Sequence, residues 1–297
     1  MNPTNYKSAD RISDSELILN DDGSVYHLQL HGHQIADTVI IVGDPDRVET
    51  ISFRFDAIEF TKRVREFCTH TGSLNGKRVT VVSSGIGVDN IDILINELHA
   101  AVNIDPITRQ VRDEIRKLDI VRLGTCGTMQ SDIPVGSYVS SAFAIGTDGV
   151  PWHYNAEMTK EEERLAEAFH LHCNWPKRFA YPYCSAGTTE LLELFDFAQP
   201  GITLTANGFY APQQRQVNIE LSHPELLGLY KTFTHSGFRM INFEMECAGI
   251  YALSTMLGHK CVTVCAILAN RALGEFSDDP SGVVDKLIDL IMSRLTR

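Results

Sequence analysis

The sequence lacks any long hydrophobic run. Its longest apolar stretch, near Cys261 to Ala269, is broken by Thr263 and falls far short of the roughly 20 residues that a membrane-spanning helix requires. Met1 to Gly23 is polar and charged with no apolar centre, so neither a signal peptide nor an anchor is expected there. Positive charge is scarce: 26 Lys and Arg stand against 38 Asp and Glu, a net charge of −12. Such a chain repels polyanions, which makes nucleic acid and anionic membranes poor partners and leaves small anions possible. Seven cysteines, an odd number without metal-ligand spacing, form no disulfide framework and suit a reducing cytoplasm. Cys261 and Cys265, set among Val262, Val264 and Ile267, read as buried strand thiols rather than zinc ligands. Internal repeats and low-complexity tracts are missing too.

What is present is a soluble-type chain of 297 residues, 43% hydrophobic, enough to bury a sizeable core. Its most telling stretch is Ile120-Val121-Arg122-Leu123, an apolar run with one arginine, ending in Gly124-Thr125-Cys126-Gly127. The run reads as a buried strand and the glycines as the turn after it, where an open α/β sheet offers backbone N–H groups to a ligand. Arg122 then requires either a buried acidic partner or an anionic ligand such as phosphate.

In chain order, Val25 to Leu30 alternates like a strand and carries His27, while His31-Gly32-His33 lies in a flexible tract and is weak evidence for metal. Thr38 to Val42 reads as a buried strand entering Gly43-Asp44-Pro45-Asp46-Arg47, a turn and a helix capped by Asp44 or Asp46 and starting near Pro45. A glycine turn with an arginine on the first helical turn can cradle an anion. Arg63 to Gly72 is strand-like and holds Arg65; Asn75-Gly76 signals a hairpin, and Arg78 to Ser83 returns. A helix from about Asp89 to Val102 follows Gly85-Ile86-Gly87, yet Asn90 stands where a dinucleotide fingerprint needs its third glycine. Ile104 to Asp119 is charged and reads as an exposed helical excursion.

Further on, strands are expected over Ser137 to Ile145 and Tyr181 to Thr188, with an amphipathic helix over Met158 to Cys173. Thr205 to Arg215 is loop-like but holds Phe209, Tyr210, Gln213 and Arg215, a set that can stack on a planar base and read its edge. Glu244-Met245-Glu246 places two acids two apart, on one face if extended, ahead of an apolar helix from Cys247 to Leu257 stopped by Gly258. Buried carboxylates need partners, and sugar hydroxyls are suitable ones. Cys261 to Ala269 reads as a central strand ending at Asn270-Arg271, and Ser281 to Leu295 as a closing helix.

Taken together, Gly43-Asp44-Pro45-Asp46-Arg47, Arg65-Glu66-Phe67, Arg122-Leu123-Gly124-Thr125, Phe209 with Gln213 and Arg215, and Glu244-Met245-Glu246 resemble the nucleoside phosphorylase family. Their order and spacing are most similar to its uridine-cleaving members, over about Val25 to Arg271. The resemblance implies a single-domain three-layer α/β/α fold with a mixed, distorted central sheet, residues 25–297 forming the catalytic domain behind an N-terminal extension of 1–24. It implies phosphorolysis of uridine to uracil and ribose 1-phosphate, with phosphate as co-substrate and no cofactor, in a cytoplasmic homo-oligomer, dimer or hexamer; no metal is assigned, because Asn90 stands where some bacterial relatives place a serine near an interfacial cation.

The resemblance also assigns roles. Gly43, Arg47, Arg122 and Thr125 would hold phosphate, with Arg65 supplied by a neighbouring subunit. His27 would reach from a neighbour to the sugar 5′-hydroxyl, and Glu244, Met245 and Glu246 would bind ribose, Glu246 taking the 2′- and 3′-hydroxyls. Phe209 would stack on the base, Gln213 and Arg215 would read the uracil edge, and Arg271 would lie close to it. Arg122, Arg215, Gln213 and Glu246 would carry the catalysis. Pro212 departs from the glycine common before that glutamine. A purine phosphorylase relative would usually carry an aspartate where Asn270 stands, and a noncatalytic nucleoside-binding protein is the reading from another class.

Overall fold

The computed structural model of the chain describes residues 10–296. Most of the expected N-terminal extension is therefore described, and residues 1–9 and 297 lie outside it. The chain divides into two compact units, one holding the described residues up to Val121 with Leu253–Lys260 and Thr296, the other Arg122–Ala252 and Cys261–Leu295.

In the first unit, β1 (Thr38–Val42) is wholly buried and leads into α1 (Pro45–Ser52). Asp44 caps that helix, its carboxylate accepting from the Asp46 N–H at 3.0 Å. Proline at the first helical position costs nothing, because its missing N–H would have had no partner. Next come β2 (Ala57–Val64), β3 (Phe67–Leu74), β4 (Lys77–Ser83) and α2 (Val88–Asn103), and then the start of β5 (Asp119–Thr128). The sheet runs β1-β4-β3-β2; β1 and β4 are parallel, with Thr38 opposite Val79, and the rest are antiparallel. The Asn75-Gly76 hairpin forms as expected, with φ of 49° and 78°, the positive values that a two-residue turn demands.

Three expectations in this unit fail. Arg63 to Gly72 is not one strand, because the chain turns at Arg65-Glu66, and Arg65 takes a φ of 54°. Val25 to Leu30 is a turn rather than a strand: Gln29 N–H bonds back to the Val25 carbonyl, and Val25 N–H to that of Leu30. Ile104 to Asp119 forms no helix. The Asp105 carboxylate accepts the N–H groups of Ile107 and Thr108, both at 2.9 Å, and Arg109 adopts a φ of 57°. Side-chain acceptance beside Pro106 gives the backbone a turn instead of a helical ladder.

The second unit continues β5 and adds β6 (Tyr138–Gly146), α3 (Lys160–His172), β7 (Tyr183–Ala186), α4 (Thr189–Leu194), β8 (Gln199–Thr205), α5 (Leu226–Thr232), β9 (Thr234–His235), β10 (Phe238–Glu244), α6 (Cys247–Met256), β11 (Lys260–Asn270), β12 (Glu275–Phe276) and α7 (Pro280–Leu295). A reciprocal capping box starts α3: Thr159 Oγ1 accepts the Glu162 N–H, and the Glu162 carboxylate accepts that of Thr159 at 2.7 Å. The pairings β5-β10-β8-β6-β11 return to β5, so five strands close a circuit. Ile241 packs with Cys126, Val139, Cys265 and Ile267, whereas Met240 and Phe243 join a larger cluster with Leu165 and Phe169 of α3 and Tyr230 of α5; simple alternation would put Ile241 and Phe243 on one face, and the register shift of β10 against β8 between Met240 and Asn242 separates them.

The strand of Arg122 does not end at Gly124 but continues to Thr128. Its glycines are places of close approach rather than turn residues. A Cβ at Gly124 would collide with the Arg122 guanidinium, and one at Gly127 would lie 2.9 Å from the Phe243 ring. All seven cysteines are free and buried, as expected.

Candidate active site

The first unit carries His27, Gly43, Arg47 and Arg65. Glu97 on α2 fixes the histidine: its carboxylate accepts His27 Nδ1–H at 2.5 Å and the backbone N–H groups of His27 and Leu28 at 2.9 Å. A carboxylate accepts, so Nδ1 is the donor of that pair. Nothing in the residues around His27 pointed to Glu97, which lies 70 positions away. Gly43 and the half-buried Arg47 flank the capped start of α1, and Arg65 stands exposed on its turn.

In the second unit, Arg122 is 5% exposed and meets both acids of the Glu244-Met245-Glu246 run. Its Nη2 pairs with Glu246 and lies 3.2 Å from Glu244 Oε2, and its Nη1 faces Cys265 Sγ at 3.4 Å. The acidic partner required by a buried arginine is therefore present. Burial disfavours the guanidinium charge, but Glu246 and Glu244 overcome that penalty and hold its pKa well above the usual arginine value. Burial pushes the Glu244 carboxyl up, against the pull of Arg122.

Glu244 is fully used. Its Oε1 accepts Thr205 Oγ1–H at 2.6 Å, and its Oε2 accepts the N–H groups of Glu246 and Cys247 at 2.8 Å, at the start of α6. A carboxylate there satisfies orphan helix donors and complements the helix dipole. Glu244 thus shapes the run, while Met245 is half-buried between the acids.

The loop that the resemblance assigns to the base is held by its own arginine and by a second one. Arg215 Nη1 donates to the Phe209 carbonyl at 2.8 Å and to Gln213 Oε1 at 2.5 Å, and its guanidinium lies 4.0 Å from the centre of the Phe209 ring. Arg271 donates to the carbonyls of Gln213 and Gln214 at 3.0 and 2.9 Å. Gln213 is buried, whereas Phe209 is 51% exposed and offers its ring outward. Partial burial and the neighbouring Arg271 pull the Arg215 pKa down to about 10, so it stays a cation at neutral pH. The loop thus offers a ring face, an amide and a guanidinium on one short segment.

Thr125 is half-buried on β5. Asn270 is spent on structure: its Nδ2 donates to the carbonyls of Gln130 and Ile133, and its Oδ1 accepts from the N–H groups of Ala272 and Leu273. Among the described residues, no group of three or more His, Cys, Asp or Glu is placed to hold a metal, and no helix is long and apolar enough to cross a membrane.

Residues 37–290 match the sequence profile of the Phosphorylase superfamily, and the chain belongs to that family. It is 29% identical over 269 residues to a uridine phosphorylase of Thermococcus kodakarensis, covering 86% of this chain and 81% of that protein. It is also 33% identical over 258 residues to a DeoD-type purine nucleoside phosphorylase of Bacillus velezensis, covering 84% and 89%. Among solved structures, a Trypanosoma brucei nucleoside phosphorylase described as showing uridine phosphorylase activity superposes with a TM-score of 0.86 at 28% identity, over 94% of this chain and 99% of that one. The fold is accordingly the nucleoside phosphorylase fold, a mixed sheet with flanking helices, as the motifs implied.

Proposed function

We propose that the chain is a uridine phosphorylase, a pentosyltransferase that reversibly moves the ribosyl group of uridine to inorganic phosphate. The observation that carries this reading is the base loop, where Gln213 and Arg215 are joined at 2.5 Å beside the exposed Phe209 ring. With Gln213 Oε1 engaged by Arg215, the amide presents a donor, which suits the carbonyl edge of uracil.

In the reaction a phosphate oxygen bonds to C1′ as the C1′–N1 bond breaks. The electron pair of that bond leaves with uracil, and the sugar becomes ribose 1-phosphate. The Arg215 cation stabilises the negative charge growing on the base, and the phosphate stabilises the positive charge growing on the ribosyl ring. Glu246 takes the 2′- and 3′-hydroxyls, and its pairing with Arg122 orients it. Phosphate binding by Gly43, Arg47, Arg122 and Thr125, with a neighbour's Arg65, rests on the resemblance of their motifs, as does a neighbour's His27 at the 5′-hydroxyl. These assignments call for a homo-oligomer, a dimer or hexamer, and the reading takes the enzyme to work in the cytoplasm without a cofactor.

The Bacillus velezensis relative favours a purine substrate as the second reading. Asn270 weighs against it, because an amide already committed to four hydrogen bonds cannot protonate a purine ring. Uracil release from uridine, measured with and without phosphate and beside inosine, tests both. Phosphate-dependent release from uridine is expected. Preference for inosine, or release without phosphate, would overturn the reading.

A further inference from the structure

The base loop has a second side. Asn207, Ala211, Pro212 and Gln214 form one wall of a cavity of about 450 Å³, within the size range of small-molecule sites. Rings form much of the rest: Trp175 meets Phe179 edge-on with centroids 5.4 Å apart, Phe179 meets His223 at 5.5 Å, and Tyr230 also lines the space. Gln213, Arg215 and Phe209, the residues assigned to uracil, do not line it.

The polar lining is mixed, with the Asp148 and Glu220 carboxylates and the Arg178 guanidinium, and one acceptor in it has no partner among the described residues. Gln214 is 9% exposed, and its Oε1 is buried with no hydrogen-bond partner among the described residues. Its Nε2 reaches the Ala211 carbonyl only at 3.5 Å. An orphaned buried carbonyl oxygen carries a desolvation cost that a donor would relieve. Asp148 adds a carboxylate steadied by the Val150 N–H at 2.8 Å and the Tyr183 hydroxyl at 2.9 Å. The Trp175 indole N–H is already given to the Ala180 carbonyl at 2.9 Å. Rings beside this orphaned acceptor suit a flat ligand that brings its own N–H group.

We propose that this cavity is a second binding site, for a small, neutral, planar heterocycle bearing an N–H donor, and that Gln214 is the group that recognises the donor. The site also bears on the base loop. Gln214 occupies the left-handed region, with a φ of 58°, directly after Gln213, and Arg271 holds the backbone carbonyls of both. A ligand that turns the Gln214 amide therefore acts on the segment that positions Gln213 and Arg215. Resting on the uridine phosphorylase reading, this coupling changes the KM for uridine more than kcat.

The test is calorimetric titration of the intact protein with benzimidazole and with 1-methylbenzimidazole, which has the same ring and no N–H. Saturable binding of benzimidazole is expected, weakened about tenfold by the methyl group and by Gln214→Leu, as for loss of a buried hydrogen bond. His223→Ala, on the ring wall, should weaken it without touching the base loop, and Phe209→Ala should leave it intact. Equal binding of the two probes, no saturable binding, or binding lost in Phe209→Ala but kept in Gln214→Leu would overturn the site. Uridine phosphorolysis is then assayed with benzimidazole present. A shifted KM supports the coupling and an unchanged one removes it. Absence of turnover under every condition refutes the activity reading and leaves the calorimetric result standing.

Discussion

Arg122 and Arg215 are both arginines beside the candidate site, and their surroundings are opposite. Arg122 is buried in a strand, with Glu246 and Glu244 at its guanidinium, and its proton is held more tightly than usual. Arg215 is half-buried on a loop and stacked on an aromatic ring, and a neighbouring cation, Arg271, bears on it. The first arginine is neutralised by the fold itself. The second retains surplus positive charge, and such a cation has more to gain from an anion that forms only during a reaction. The difference separates a charge matched by acids of its own fold from one with a cation for a neighbour.

The sharpest way to break that comparison is Arg122→Ala. It leaves two buried carboxylates without their cation and should destabilise the protein by ~3–5 kcal/mol, measured by urea unfolding, with activity lost as well. An Arg122→Ala protein as stable as the parent would mean that the acids are satisfied elsewhere. Arg215→Ala should behave in the reverse sense. Uridine turnover should fall by about two to three orders of magnitude, or ~3 kcal/mol of barrier, while unfolding changes by less than about 1 kcal/mol. Equal damage to stability in the two variants would erase the distinction.

Gly124→Ala probes the same contrast without removing a charge. A methyl group there must displace the Arg122 guanidinium, so a loss of ~1–3 kcal/mol is expected, and Gly127→Ala should act through Phe243 instead. Thermal unfolding of the two variants, beside their kcat, would separate a displaced charge from a displaced ring.

A third kind of buried polar group extends the comparison. His99 Nδ1 lies 3.1 Å from His259 Nε2 and accepts from Asn103 Nδ2 at 3.2 Å, while His259 Nδ1 accepts the Leu118 N–H at 3.1 Å. These bonds require both rings to be neutral. Burial pulls their pKa values down to about 4 and about 3, the nearby His99 adding to the effect on His259. Unfolded histidines take up protons near pH 6.5 and these folded ones do not, so their stabilisation is complete above that pH. It is lost as pH falls from there towards 4 and 3, at up to about 1.4 kcal/mol per pH unit for each ring. Unfolding free energies measured between pH 5 and 7 should show this slope, and His259→Gln should flatten it. An unchanged slope would remove the pair as its source.

Much of the local structure was legible in the chain. The buried strand Thr38–Val42, the helix starting at Pro45, the Asn75-Gly76 hairpin, the helix stopped by Gly258 and the need of Arg122 for a counter-charge follow from residue patterns, because turns, caps and periodicity act over a few residues. Where a short side chain redirected the backbone, as Asp105 does, periodicity misread the segment. The base loop was recognisable as a set of side chains, but its geometry was not.

By itself, then, the sequence determined the family, the order of the elements and the residue types at the site, since these are written in short-range motifs. Only the tertiary structure decided that Glu246, 124 positions away, meets Arg122, that Glu97 holds His27, that Gly124 and Gly127 serve close approach, and that Arg271 clamps the base loop. Such pairings depend on which distant surfaces the burial of apolar area brings together, and no local pattern encodes that distance.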